Sequence, residues 1–77
     1  MNVHPYQLMA FSSALKLEIK AGIKVSRQYD TFKGQVKEAL GIPPRGSLLS
    51  LKKAYTQYLL SIPNETLRES CLKLLNE

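Results

Sequence analysis

Between two proline breaks, Pro43-Pro44 and Pro63, lies a segment whose apolar residues fall on one side of a helix. Leu48, Leu51, Tyr55, Leu59 and Ile62 recur at three- and four-residue steps, with Tyr58 beside them. This spacing gathers side chains on one face of an α-helix. Such a stripe is stable only when other elements cover it. A chain of 77 residues can bury one core but not two, so the remaining segments must close around this helix as a single domain, 1–77.

Those segments carry the same periodicity. Pro5 suits a first helical turn, where its missing N–H would have no partner anyway. Leu8, Phe11, Leu15 and Ile19 then line one face, and Gly22 is a left-handed stop signal. Leu15, Leu17 and Ile19 also alternate with Lys16, Glu18 and Lys20, and Ile23 and Val25 prolong that alternation, as a strand would. The reading favours helix to residue 21, then a short extended basic link over residues 23–29 containing Lys24 and Arg27.

Asp30 is the expected cap of a second helix, with Phe32, Val36, Ala39 and Leu40 inward. Gly34 inside it marks a point of close helix approach. Gly41 closes that helix, and Ile42-Pro43-Pro44-Arg45-Gly46 is a stiff turn that cannot stay helical. Ser47 caps the third helix and Asn64 the last. In the last helix Leu67, Cys71, Leu74 and Leu75 make the buried stripe, with Glu65 and Glu69 near the positive end of its dipole. The predicted fold is all-α: a small bundle of about four helices, at about 5–21, 31–40, 47–62 and 65–76. The second and third form a helix-turn-helix-like pair.

The residues that carry chemistry are few. One cysteine and one histidine exclude an intrachain disulfide and leave no ligand set for structural zinc. Cys71 reads as a small core residue and His4 as a surface residue. The acids Glu18, Asp30, Glu38, Glu65, Glu69 and Glu77 are scattered, with capping or surface-pairing roles. Gly41 and Gly46 flank a double proline, which removes the N–H donors a phosphate-cradling loop needs. The expectation is a protein that is not an enzyme and takes no cofactor. No apolar run approaches the roughly 18 residues that span a bilayer, and no secretory leader is evident. A cytoplasmic protein is expected, nucleoid-associated or nuclear if it binds DNA.

Charge narrows the partner. The chain has 11 Lys/Arg against 6 Asp/Glu, a net +5. Residues 1–61 hold nine of those cations and three of the acids. A basic body suits an anionic partner such as DNA or RNA. In a helix-turn-helix arrangement the third helix would enter a major groove. With its stripe turned inward, Ser50, Lys52, Lys53, Thr56 and Gln57 point outward, where they can reach phosphates and base edges. Ser47 and the free N–H groups behind it form an anion site. Lys33 and Lys37, one turn apart, and Arg45 in the turn would add phosphate contacts.

A family resemblance lies on these residues. Phe32-Lys33-Gly34-Gln35-Val36-Lys37-Glu38-Ala39-Leu40-Gly41-Ile42-Pro43-Pro44, followed by Ser47, Leu51-Lys52-Lys53, Tyr55 and Tyr58-Leu59-Leu60, resembles the C-terminal half of the AT-rich interaction (ARID) domain. The shared pattern is an aromatic residue, a helix ending in a leucine-glycine-isoleucine-proline step, a loop with serine, and a leucine-lysine-lysine-x-tyrosine helix. Ala21-Gly22 through Val25 extends it upstream, so it spans about residues 21–62. Phe32 stands where that family usually has tryptophan, and the serine-rich loop is shortened to Arg45-Gly46-Ser47. The resemblance implies DNA contact through the loop and the following helix, at Arg45, Ser47, Ser50, Lys53 and Thr56.

A second function class competes. Leu49 and Leu60 lie off the stripe of the third helix, as Leu72 does on the fourth and Met9 and Leu17 on the first. Contiguous exposed apolar area marks a contact surface, whereas isolated exposed leucines do not. These residues point to a protein-interaction or assembly module, either a homodimer or a small regulator of a larger protein. A membrane-surface role through the first helix, with Lys16, Lys20 and, just beyond it, Lys24 on one side, is a third reading.

Overall fold

Each helix is set by its caps, and the caps explain where the structure departs from the sequence pattern. The computed structural model describes residues 3–24 and 26–76. Four α-helices follow in order: α1 Pro5–Ala21, α2 Arg27–Ala39, α3 Leu48–Leu60 and α4 Glu65–Asn76, with no strand among the described residues. The all-α, four-helix expectation holds. The strand-like alternation over residues 15–20 is overruled, because α1 runs unbroken to Ala21 and ends at Gly22 with φ 67°. Val25 and Glu77 lie outside the described residues.

His4 is more than a surface residue. Its Nδ1 accepts the Tyr6 N–H at 3.1 Å while Gln7 Oε1 accepts the His4 N–H at 3.3 Å, a reciprocal cap on two free donors. At α2 the expected start is wrong by one turn. Ser26, not Asp30, is the N-cap; its hydroxyl accepts the Tyr29 N–H at 3.1 Å. Asp30 falls in the first turn, and residues 27–29 are helix rather than link. The helix therefore presents Tyr29, Phe32, Val36 and Leu40 on one face. Ala39 is exposed instead of buried.

The far end of α2 closes as the sequence implies. Gly41 has φ 74°, its N–H reaches Glu38 O at 3.2 Å, and the Ile42 N–H reaches Lys37 O at 2.8 Å. This pair of bonds satisfies two terminal carbonyls. Ser47 caps α3 by accepting the Ser50 N–H at 3.1 Å, and Asn64 caps α4 by accepting the Leu67 N–H at 3.1 Å. The Gly34 expectation fails: a Cβ built there meets nothing within 4 Å, so no helix approaches it.

Eleven buried apolar residues from all four helices form one cluster. Helix α1 is its organiser. It packs most broadly on α4 and also contacts α2 and α3, while α3 leans on α4. Phe11 stands at the junction, edge-on to Tyr55 of α3 at 5.0 Å and to Phe32 of α2 at 5.2 Å, with Tyr29 at 5.6 Å. Helices α2 and α3 are thus positioned by α1 and by the proline turn, rather than by broad contact with each other.

Two polar connections fix how α2 and α3 are rotated. Tyr55, fully buried, donates to Leu8 O at 3.0 Å and lies 2.8 Å from the buried Ser12 hydroxyl, which itself donates to Leu8 O at 2.8 Å. Burial pushes the Tyr55 hydroxyl well above its ordinary value, so it stays a proton donor. Across the bundle, Glu18 of α1 is only 8% exposed. It receives the Tyr29 hydroxyl at 2.6 Å and the Lys33 ammonium at 2.9 and 3.1 Å. Its role in the sequence reading, surface pairing, is corrected to that of a buried clasp.

Candidate functional site

The inner stripe of α3 lies where the spacing places it: Leu51, Tyr55 and Leu59 are fully buried, and Leu48, Tyr58 and Ile62 pack against them. Because Tyr55 is tied to the α1 backbone, α3 cannot turn about its own axis without breaking a buried hydrogen bond. The opposite face is therefore held toward solvent. It consists of Leu49, Ser50, Lys53, Gln57 and Leu60, all exposed, with Lys52 and Thr56 half-buried along one flank.

The nine candidate nucleic-acid contacts divide into three groups. Lys33 is turned inward. Its side chain is 13% exposed, its ammonium is paired with Glu18 and lies 3.7 Å from Asp30 Oδ1 and 5.3 Å from the centre of the Tyr29 ring. A buried carboxylate holds it inward, so no phosphate can reach it without breaking the clasp. One turn on, Lys37 folds over the proline turn, donating to Pro44 O at 3.1 Å and Gly46 O at 3.2 Å. It braces the loop that leads into α3.

Ser47 and Ser50 make up the second group. The Ser47 hydroxyl accepts the Ser50 N–H and donates to Ser50 Oγ at 3.0 Å. The N-terminus of α3 thus supplies its own cap on the Ser50 N–H. Arg45, Lys52, Lys53, Thr56 and Gln57 remain on the turn and the open side of the helix. Arg45, Lys52 and Lys53 make no ion pair with any described residue. No acid occurs from residue 39 to residue 64, so the charges this stretch itself contributes are all positive.

What reasoning on charge alone passed over is the apolar share of the same face. Leu49 is 70% exposed and Leu60 54%, and helix geometry places them on either side of Lys53, roughly 16 Å apart along the axis. The signal was legible: both lie off the 48–51–55–59 stripe. Leu72, by contrast, packs against the core. On α1, Met9 and Leu17 are each 37% exposed, and Tyr6, three residues before Met9, is 74% exposed.

Elsewhere, a shallow open groove of about 270 Å³ runs between α1 and α2, lined by Tyr6, Ala10, Ala14, Gln28 and Phe32. It holds no carboxylate, imidazole or thiol. Cys71 is buried, and burial raises its thiol above the ordinary value, which keeps it protonated and unreactive. No group of three or more His, Cys, Asp or Glu able to hold a metal ion occurs among the described residues, and no helix of the structure is long and apolar enough to cross a membrane. Comparison of the chain with known protein families, curated proteins and solved structures finds no match.

Proposed function

We propose that this chain is a small protein-interaction module whose working surface is the open face of α3. The observation that carries the reading is the exposure of Leu49 and Leu60 on one side of a helix whose other side buries Leu51, Tyr55 and Leu59. Full burial of a leucine is worth about 1.5–3 kcal/mol, and Leu49 and Leu60 forgo the share that belongs to their exposed 70% and 54%. A partner that covers them recovers that energy, and the rigid seat of α3 on α1 means little ordering cost at binding.

Peptide display against the full chain tests this. Peptides enriched from an unbiased library are expected to lose binding when Leu49→Lys and Leu60→Lys are combined. Enriched peptides that bind the double variant equally well would contradict the reading.

The unpaired Arg45, Lys52 and Lys53 favour a second reading, nucleic-acid binding through the turn and α3, and the ARID resemblance adds to it. Of its nine candidate contacts, Lys33 is paired with Glu18 and Lys37 is engaged with the turn. It expects a mobility shift of duplex DNA at low salt that weakens steeply as salt is added. The protein-binding reading expects none.

A further inference from the structure

Resting on the protein-binding reading above, we propose that the segment docked on the open face of α3 is an acidic amphipathic helix of a partner protein. The shape of the site sets the first half of that statement. Leu49 and Leu60 lie at the two ends of one straight face, and a helix of about three turns presents apolar residues over the same span. An extended segment would cover the distance too. Extended segments bind by strand addition to a sheet edge or, as polyproline helices, in aromatic-lined grooves, and the open face of α3, made of Leu49, Ser50, Lys53, Gln57 and Leu60, offers neither.

The charge sets the second half. Lys53 stands on the face between the two leucines, Lys52 on its flank and Arg45 in the turn before it, none in an ion pair with any described residue, inside a stretch, 39–64, that contains no acid. Carboxylates bracketing the apolar seam of a partner helix would meet them, steering the encounter and fixing register. A second copy of this chain does not satisfy the same requirement. Positions 49, 53, 56 and 60 are spaced four, three and four, so two antiparallel copies of α3 would set Leu49 against the copy's Leu60. The same two-fold axis, however, crowds both Lys53 side chains into the middle of the interface, on chains that each carry +5.

Fluorescence anisotropy of three labelled synthetic peptides, each of about 18 residues, titrated with the full chain, tests the proposal. One carries leucines at helical spacing flanked by glutamates. The second has the same leucines flanked by glutamines, and the third has the glutamates with serine replacing every leucine. The first is expected to bind, the second at least about tenfold more weakly, and the third not measurably. Combined Leu49→Lys and Leu60→Lys should abolish binding, and combined Lys52→Gln and Lys53→Gln should weaken it about tenfold and flatten its salt dependence. All four positions are on the open side or flank of α3, and circular dichroism of the variants checks that helicity is kept.

Equal binding of the glutamine-flanked peptide would overturn the acidic chemistry while leaving α3 as a protein-binding face. Failure of all three peptides, or binding insensitive to the leucine variants, would overturn the proposal and the reading together. A dimer in sedimentation that Leu60→Lys dissociates would assign the face to a second copy. Displacement of the acidic peptide by a mixed-sequence DNA duplex of higher affinity would assign it to nucleic acid.

Discussion

Two glycines have opposite roles here, and their surroundings show why. Gly34 sits in the interior of α2 with open space where a Cβ would go. It costs the helix backbone entropy and gives nothing visible in return. Gly34→Ala is therefore expected to stabilise the fold by roughly 0.5–1 kcal/mol, read as a higher midpoint in urea unfolding with unchanged slope. Gly46 ends the proline turn, its N–H on Pro43 O at 2.8 Å. A Cβ there would lie 2.6 Å from Ile42 Cγ2 and 3.0 Å from Pro43 O. The isoleucine is β-branched and stiff, and the carbonyl is backbone, so neither yields easily. Gly46→Ala should destabilise by about 1–3 kcal/mol and loosen the entry to α3 in the same unfolding experiment. A helical pattern alone makes both glycines look like interruptions. Only the three-dimensional surroundings separate the one that is dispensable from the one that is required.

At the scale of the helix, the clasp between α1 and α2 is the feature with the clearest pH consequence. Burial pushes the Glu18 carboxyl up, but the bonds from Tyr29 and Lys33 and the charges of Lys33 and Lys24 outweigh it and hold the group below 4.5. The folded state thus keeps the carboxylate charged where the unfolded chain begins to protonate. The resulting stability is full above 4.5 and is lost as the pH falls through the lower folded value. Urea melts at several acidic pH values should show that loss, and Glu18→Gln should flatten it. Lys33→Met leaves a nearly buried carboxylate without its ammonium and is expected to cost about 2–3 kcal/mol near neutral pH, somewhat less than breaking a fully buried pair. This clasp was not legible in the sequence. Glu18 falls among alternating polar residues, and its burial depends on α2 starting at Arg27, one turn before Asp30. Ser26, an ordinary N-cap residue three positions before Tyr29, was the available signal; Asp30 was equally good by type, and only packing chose between them. The stripe of α3, the closing Gly41 and the caps Ser47 and Asn64 were legible because each depends on local chemistry.

For the molecule as a whole, the packing scheme and the proposed function share one cause. Helix α1 gathers the other three, Phe11 and Leu8 fix α3 through Tyr55, and that fixed rotation turns Leu49, Lys53 and Leu60 outward. Helical spacing already set Leu49 and Leu60 outside the stripe of α3, but neither spacing nor net charge could show that Lys33 is held inward by Glu18 or that Lys37 folds over the turn. Those facts belong to tertiary structure. The most direct test of the central claim, that the open side of α3 is where this protein binds, is a backbone amide NMR titration of the full chain with the glutamate-flanked leucine peptide. Shift changes are expected to concentrate on the turn and the outward residues of α3, from Arg45 to Leu60. Changes centred instead on the groove of Tyr6, Ala10 and Phe32, with α3 silent, would contradict it.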